Sequence, residues 1–468
     1  MITVNSLIGG KIVSGEETKE NVTPIDGSVI SKVSLLSESQ LIEAFKQAKA
    51  LPEKKEKNEF EELELLADYF KKHREEYIDQ IMQDAGFIRK DSEDLVDGSI
   101  EFCEDYAKHL DQLSLSDTVT SFSFKGSKTK IRHTSSPYGL IAATTPRNTP
   151  LITELTIVVH ALWSGNSVVL RPSPGVAGTV AMLIDGLLAC FRPKTLEGLA
   201  IIFVDAKSFV NTSLEYANLL HYVGSTKYLQ NTLIAGINKG VKALLDGDGC
   251  SMALIDATSD IDEAVKACYE GLIRCNAQIC ISMRTIVIDE RIYDEFRSKF
   301  LDLVKQTKVL PPKEKSAAMG PLFSAAQVEN IIAVAKKYTV LHGELQHMEF
   351  GENYLAPVVL ELDTADRSFL KESVFGPVVG LVSYKGDEWK QWFVENPINL
   401  TDAVFSNDSD FVRTFLETSK SPRRVINVYP TMESVFEPWG AFLPSGWNDV
   451  SYWYDKYRNY FQIVTDIE

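Results

Sequence analysis

Short apolar runs at residues 140–143 and 167–170 each lead into a turn and then a helical stretch, and runs at 200–204 and 219–223 continue the series. Continuous apolar runs of this length suit strands buried on both faces, and strands alternating with helices build a parallel sheet. A second set begins near Ser251: residues 252–256 read as a strand, 261–272 as a helix and 284–288 as another strand. The pattern predicts an α/β fold. Ahead of it, residues 41–113 carry helical periodicity, with Leu41, Ala44, Phe45 and Ala48 on one face and Leu63, Leu65, Leu66, Tyr69 and Phe70 on another. Between 119 and 133, alternation through Phe122, Phe124 and Ile131 around Lys125-Gly126 predicts a hairpin. No internal repeat or low-complexity tract interrupts the chain.

The chain has 468 residues, 44% hydrophobic and 24% charged, which is room for roughly three domains of about 150 residues each. A formal charge of −17 argues against nucleic acid or an anionic membrane surface as partner, since both need concentrated Lys and Arg. The N-terminus lacks a basic segment followed by an apolar run, and Glu154, His160 and Asn166 interrupt the apolar region 151–170, so neither a signal peptide nor a membrane span is expected. Six cysteines without CxxC spacing and seven scattered histidines point to a reducing cytoplasm and to no metal site.

Cys280 stands in Asn276-Ala277-Gln278-Ile279-Cys280-Ile281-Ser282, just ahead of a strand-like run, where a cysteine is a candidate nucleophile. Upstream lie Tyr138-Gly139-Leu140-Ile141-Ala142-Ala143-Thr144-Thr145-Pro146-Arg147-Asn148-Thr149-Pro150 and the run from Ala161 to Arg171-Pro172-Ser173. Further blocks follow in order: Gly224-Ser225-Thr226, Met319-Gly320-Pro321-Leu322, Val374-Phe375-Gly376-Pro377 and Pro438-Trp439-Gly440. Over nearly its whole length the chain resembles the aldehyde dehydrogenase superfamily.

That resemblance implies a Rossmann-like cofactor domain at 1–117 and 137–247, an α/β catalytic domain at 248–440, and a small β oligomerisation arm at 118–136 and 441–468. It implies NAD(P)-dependent oxidation of an aldehyde to a carboxylic acid. Cys280 would attack the carbonyl, Asn148 would donate to the resulting oxyanion, and hydride loss would leave a thioester. Thr145, Pro146, Arg171, Ser173, Gly224, Ser225 and Phe375 fall on cofactor positions, with NAD or NADP as the cofactor. Arg147, Trp163, Arg274, Cys275, Ile279 and Ile281 fall near the substrate tunnel. A homodimer or homotetramer is implied, the apolar strand 460–464 joining the arm.

Several positions depart from the family pattern. Asp246, in Asp246-Gly247-Asp248-Gly249-Cys250, stands where the hydrolytic branch has a glutamate base, and a carboxylate there can take a proton from water. The same stretch also resembles the CoA-acylating branch, so a CoA thiol is the alternative acyl acceptor. Leu229 replaces a glycine, Pro174 replaces the glutamate for the ribose hydroxyls, and Ser373 replaces the glutamate for the nicotinamide ribose. These departures leave open a non-catalytic binding or structural subunit. Loss of the carboxylate at Pro174 makes NADP as acceptable as NAD.

Overall fold

The structure, a computed structural model, describes residues 2–48, 60–113, 118–124, 127–372 and 374–467. Leu140–Thr144 is buried along its whole length, as a continuous apolar run requires. It pairs in parallel with Ser167–Arg171 on one side and Leu219–Val223 on the other, and Leu199–Ile201 and Lys242–Asp246 extend the parallel set outward. Antiparallel strands close both edges: Ser6–Ile8 and Lys11–Val13 at one, Gly446–Ser451 and Trp439–Ala441 at the other. The order of strands reverses at Leu140–Thr144, and open α/β sheets bind ligands beyond the carboxyl ends of their strands at such a point.

The second sheet has seven strands, with Met283–Asp289 between Ser251–Ile255 and Val378–Tyr384. The connector 247–250 runs from the last parallel strand of the first sheet into Ser251–Ile255. The carboxyl ends of the first sheet therefore face segments that enter the amino ends of the second.

The early helices follow the expected spacing with one exception. Glu38–Ala48 buries Leu41, Ala44, Phe45 and Ala48. Glu61–Lys72 buries Leu63, Leu66, Ala67 and Phe70, the i, i+3, i+4, i+7 stripe, which leaves Leu65 off the face at 49% exposure. The expected strand at 200–204 is shorter, Leu199–Ile201, because the chain then leaves the sheet to cross the Ser6 hydroxyl, which accepts from Phe203 N–H.

Thr118–Phe124 and Ser127–Pro137 form the expected hairpin, and Arg458–Ile467 pairs antiparallel with the second of them. The turn residues Lys125 and Gly126 lie outside the described residues, as does Ser373. Gly446–Ser451 hydrogen-bonds to Lys242–Asp246, so part of the segment assigned to the arm at 441–468 instead extends the first sheet. Among the described residues, no helix is long and apolar enough to cross a membrane.

Candidate active site

Between the two sheets lies a cavity of about 1510 Å³ whose wall includes Cys280, Asn148 and Asp246 together with Pro146, Gly224, Ser225 and Phe375. Cys280 reaches it from the loop entering Met283–Asp289, and Asn148 from the loop leaving Leu140–Thr144.

Two strained turns present these side chains. Cys275, Asn276 and Ala277 all have left-handed backbone, with φ of 50°, 56° and 56°. Each such non-glycine residue costs on the order of 1 kcal/mol and persists only where its surroundings hold it. Here the Asn276 side chain donates to the Gly86 and Pro321 carbonyls at 2.9 Å and accepts from Gly320 N–H at 2.7 Å, while Cys275 N–H donates to Asp91 at 3.0 Å. Beyond Cys280, Ser282 N–H donates to the Ile279 carbonyl at 3.0 Å. Gly249 packs so closely on the Cys280 carbonyl that a Cβ there would overlap it. The second turn follows Asn148, where Leu151 has φ 72° at the start of Ile152–Trp163.

Cys280 is half-buried, whereas Cys250, Cys268 and Cys275 are buried. Burial pushes its thiol well above the usual range, and the carboxylates of Glu433, Asp246 and Asp248 reinforce the effect. The thiol therefore rests protonated, and its proton must leave as a bond to carbon forms. The Asn148 side chain is buried and its amide oxygen has no hydrogen-bond partner. Asn148 and Cys280 share the cavity wall, and the NH₂ group of the Asn148 amide is the donor type that a developing oxyanion needs.

Asp246 is differently placed. Its Oδ1 accepts from Trp439 Nε1 at 3.0 Å and Asn448 Nδ2 at 2.7 Å, and its Oδ2 is paired with His221 Nε2 at 3.0 Å. The other ring nitrogen of His221 contacts the Tyr457 hydroxyl at 2.7 Å. Burial opposes the charge, yet the contact with His221, the Lys456 ammonium and the Asn448 amide hold the carboxyl below the usual range. A carboxylate stabilised from three sides is a poor proton acceptor. In this arrangement Asp246 ties strand Lys242–Asp246 to the segment 439–457.

The cofactor side is less complete. Thr226–Lys239 points its N-terminus at the cavity, but Thr226 N–H already donates to the Asp248 carboxylate at 3.0 Å, and Asp248 N–H donates to Thr226 Oγ1 at 2.8 Å. The protein's own carboxylate thus sits where a pyrophosphate would gain most from the helix dipole. Leu229 is buried against Ala243 and Leu245, and a Cβ on Gly247 would stand 2.6 Å from both Leu229 Cδ1 and Thr226 Oγ1, so glycine at 247 accommodates the leucine. Thr145, Arg171 and Ser173 lie off the cavity wall. The Thr145 hydroxyl donates to Glu154 at 2.5 Å, Arg171 Nε donates to the Val204 carbonyl at 3.0 Å, and Ser173 caps the turn Pro174–Val176. The turn Gly224-Ser225-Thr226 would fit the phosphate end of a dinucleotide once Asp248 gives up the Thr226 N–H.

Of the tunnel candidates, Arg147, Arg274, Cys275, Ile279 and Ile281 reach the cavity. The Arg147 guanidinium is engaged elsewhere, donating to the Asp84 and Val22 carbonyls and lying over the Phe323 ring. Trp163 is not a wall residue: it is 5% exposed and packs on Tyr106 and Phe191 in the core. Among the wall residues not expected from the sequence are His221, Trp439 and Glu433. Trp439 lay within a quoted block without a role, whereas Glu433 stands in a loop without periodicity.

The aldehyde dehydrogenase family profile matches residues 12–465. A lactaldehyde dehydrogenase of Methanocaldococcus jannaschii is 27% identical, the match covering 94% of this chain and 95% of that one. A D-glyceraldehyde dehydrogenase (NADP(+)) of Picrophilus torridus is 26% identical over 75% of this chain and 72% of its own. Among solved structures, a betaine aldehyde dehydrogenase from Staphylococcus aureus in complex with NAD+ superposes with a TM-score of 0.87 at 22% identity, covering 99% of this chain and 95% of that one. With the profile spanning nearly every residue and the same fold recovered independently, the chain belongs to the aldehyde dehydrogenase family.

Proposed function

We propose that the protein oxidises an aldehyde to a carboxylic acid with NAD or NADP, through a thiohemiacetal and then a thioester on Cys280. The observation that carries this is the presence of a half-buried thiol and the Asn148 amide on one cavity wall that continues to Gly224, Ser225 and Phe375. Cys280 Sγ bonds to the aldehyde carbon as its S–H bond breaks and the proton passes to solvent, and Asn148 donates to the carbonyl oxygen as it becomes an oxyanion. A nicotinamide cofactor would supply the hydride acceptor. The anchored turn at Asn276 holds the sulfur in place throughout, so little reorganisation is needed at the moment of attack.

An aldehyde panel with NAD and with NADP, each with and without CoA, tests the proposal. Reduced cofactor and a carboxylic acid are expected without CoA. The CoA arm carries the second reading, acyl transfer to a thiol, which the tight binding of the Asp246 carboxylate favours. Formation of reduced cofactor only with CoA would decide for that reading, and no reduction under any condition would decide for a binding subunit.

With a cofactor domain read at 1–117 and 137–247 and a catalytic domain at 248–440, the cavity would work within an oligomer. Arg458–Ile467 leaves Tyr460, Phe461, Ile463 and Val464 between 40% and 58% exposed, an apolar strand surface that a second copy would cover. Sedimentation at micromolar concentration is expected to show a dimer or tetramer, and a dominant monomer would refute this. Six cysteines without a disulfide suit a reducing cytoplasm.

A further inference from the structure

We infer that Arg147 is a positioning residue for Asn148, pinning the loop of the oxyanion donor to residues 84–91, the same segment that pins the loop of Cys280; this rests on the thiohemiacetal reading above. Arg147 directly precedes Asn148, so a fixed Arg147 side chain limits where the Asn148 backbone can go. The Asn148 amide oxygen has no hydrogen-bond partner and gives the side chain no hold of its own. Its placement therefore depends on the backbone to either side.

The anchor is the C-terminus of helix Arg74–Ala85, where the chain turns away at Gly86 with φ 68°. The last carbonyls of a helix lack partners within it, and cationic donors are favoured at that end. Here the donors come from the two loops at the cavity. Arg147 Nε donates to the Asp84 carbonyl at 2.8 Å, and its Nη2 donates to the same oxygen and to the Val22 carbonyl at 3.2 Å. From the other loop, Asn276 Nδ2 donates to the Gly86 carbonyl at 2.9 Å and Cys275 N–H to the Asp91 carboxylate at 3.0 Å. One short segment thus holds both loops.

The anchor and the guanidinium are each confined. Asp84 Oδ2 accepts from Thr179 N–H at 2.7 Å and from Thr179 Oγ1 at 2.9 Å, and a Cβ on Gly86 would stand 2.8 Å from both Pro24 Cγ and Pro321 Cγ. Arg147 passes over Gly175, where a Cβ would lie 2.7 Å from its Cδ, and its guanidinium carbon is 5.2 Å from the centre of the Phe323 ring. A planar fork that spans two carbonyls and lies over a ring is fixed in orientation as well as position, which a lysine does not reproduce.

The test uses the full-length protein with an aldehyde that it oxidises and the cofactor that it prefers. Arg147→Met, close in length but without donors, should lower kcat/KM for the aldehyde by roughly 10²-fold, the order that a misplacement of about 1 Å brings. Cofactor affinity, read by fluorescence titration, should not change, nor should the rate at which iodoacetamide alkylates Cys280, a reaction that needs no oxyanion donor. In the Asn148→Ala background the same substitution should cost little more, because the group that Arg147 positions is already gone. Arg147→Lys, which keeps the charge without the fork, should show a smaller loss with the same dependence on Asn148, and it decides the matter if the methionine variant does not fold. Wild-type kcat/KM in Arg147→Met, or a loss of equal size with Asn148 present and absent, would overturn the assignment; slower alkylation of Cys280 would also overturn it, by making Arg147 a general support of the cavity. A wild-type protein that forms no reduced cofactor from any aldehyde would instead overturn the thiohemiacetal reading, and the role of Arg147 with it.

Discussion

On the nucleophile side of the cavity, the chain from Arg274 to Ser282 carries three consecutive left-handed residues, and its Asn276 side chain hydrogen-bonds to three backbone groups. On the cofactor side, the turn Gly224-Ser225-Thr226 has regular geometry, yet its N-terminal N–H is taken by Asp248 and its neighbour Leu229 fills space where a glycine was expected. One wall stores strain in the turn before Cys280; the other is relaxed, with its helix N-terminal N–H satisfied by the Asp248 carboxylate. The difference teaches that a reactive side chain must be held against its own preferences, whereas a phosphate site can be covered by a protein carboxylate until a stronger anion arrives.

The largest effect should come from the strained wall. Cys280→Ala should lower turnover by at least roughly 10³-fold while leaving cofactor affinity nearly unchanged, measured by steady-state kinetics and by fluorescence titration of the reduced cofactor. Labelling of Cys275 in step with inactivation by an alkylating agent would instead move the nucleophile. Asn148→Ala should cost about 3 kcal/mol of transition-state stabilisation, a loss on the order of 10²-fold in kcat, without slowing alkylation of Cys280. An unchanged kcat would remove Asn148 from the oxyanion site.

Asp246→Asn probes the seam between the walls. An amide keeps one oxygen for Trp439 and Asn448 but turns an NH₂ toward His221 Nε2 and removes the charge beside Lys456, and urea unfolding should show a loss of about 3 kcal/mol. The sign of the pH dependence follows from the depressed folded-state value of Asp246. Its stabilisation is present above about pH 4, where the unfolded carboxyl is also ionised, and is lost as pH falls through the folded value. The variant should therefore lose less stability than wild type on acidification, and an identical acid limb would show that the network contributes nothing.

The smallest effect expected is on the relaxed wall. Asp248→Asn removes a negative charge from the N-terminus of Thr226–Lys239 and should tighten cofactor binding by about tenfold, near 1.4 kcal/mol, with kcat little changed. Calorimetric titration checks this; weaker binding in the variant would mean that Asp248 helps to hold the cofactor and does not compete with it.

Much of the frame was legible because its signals are local. The buried strands Leu140–Thr144 and Met283–Asp289 follow from apolar runs, and the buried face of Glu38–Ala48 follows from a 3.6-residue spacing. Cys280 and Asn148 were found from short motifs, and both reach the cavity. Trp163 was misplaced because a tryptophan at the end of a buried helix reads the same from either side, and only the packing of Tyr106 and Phe191 shows which side it faces. Leu65 was counted into the core because adjacent leucines cannot be ranked without the neighbouring helix.

By itself, the sequence determined the alternation of strands and helices, the position of Cys280 as candidate nucleophile and the departures at Leu229 and Pro174, since each is a property of a few adjacent residues. The tertiary structure decided what each carboxylate is able to do. Asp246 and Asp248 are the same residue type two positions apart, but the groups that engage each carboxylate differ: Trp439, Asn448 and His221 for the first and Thr226 for the second. Such partners are brought together across long stretches of chain, where no local pattern records them.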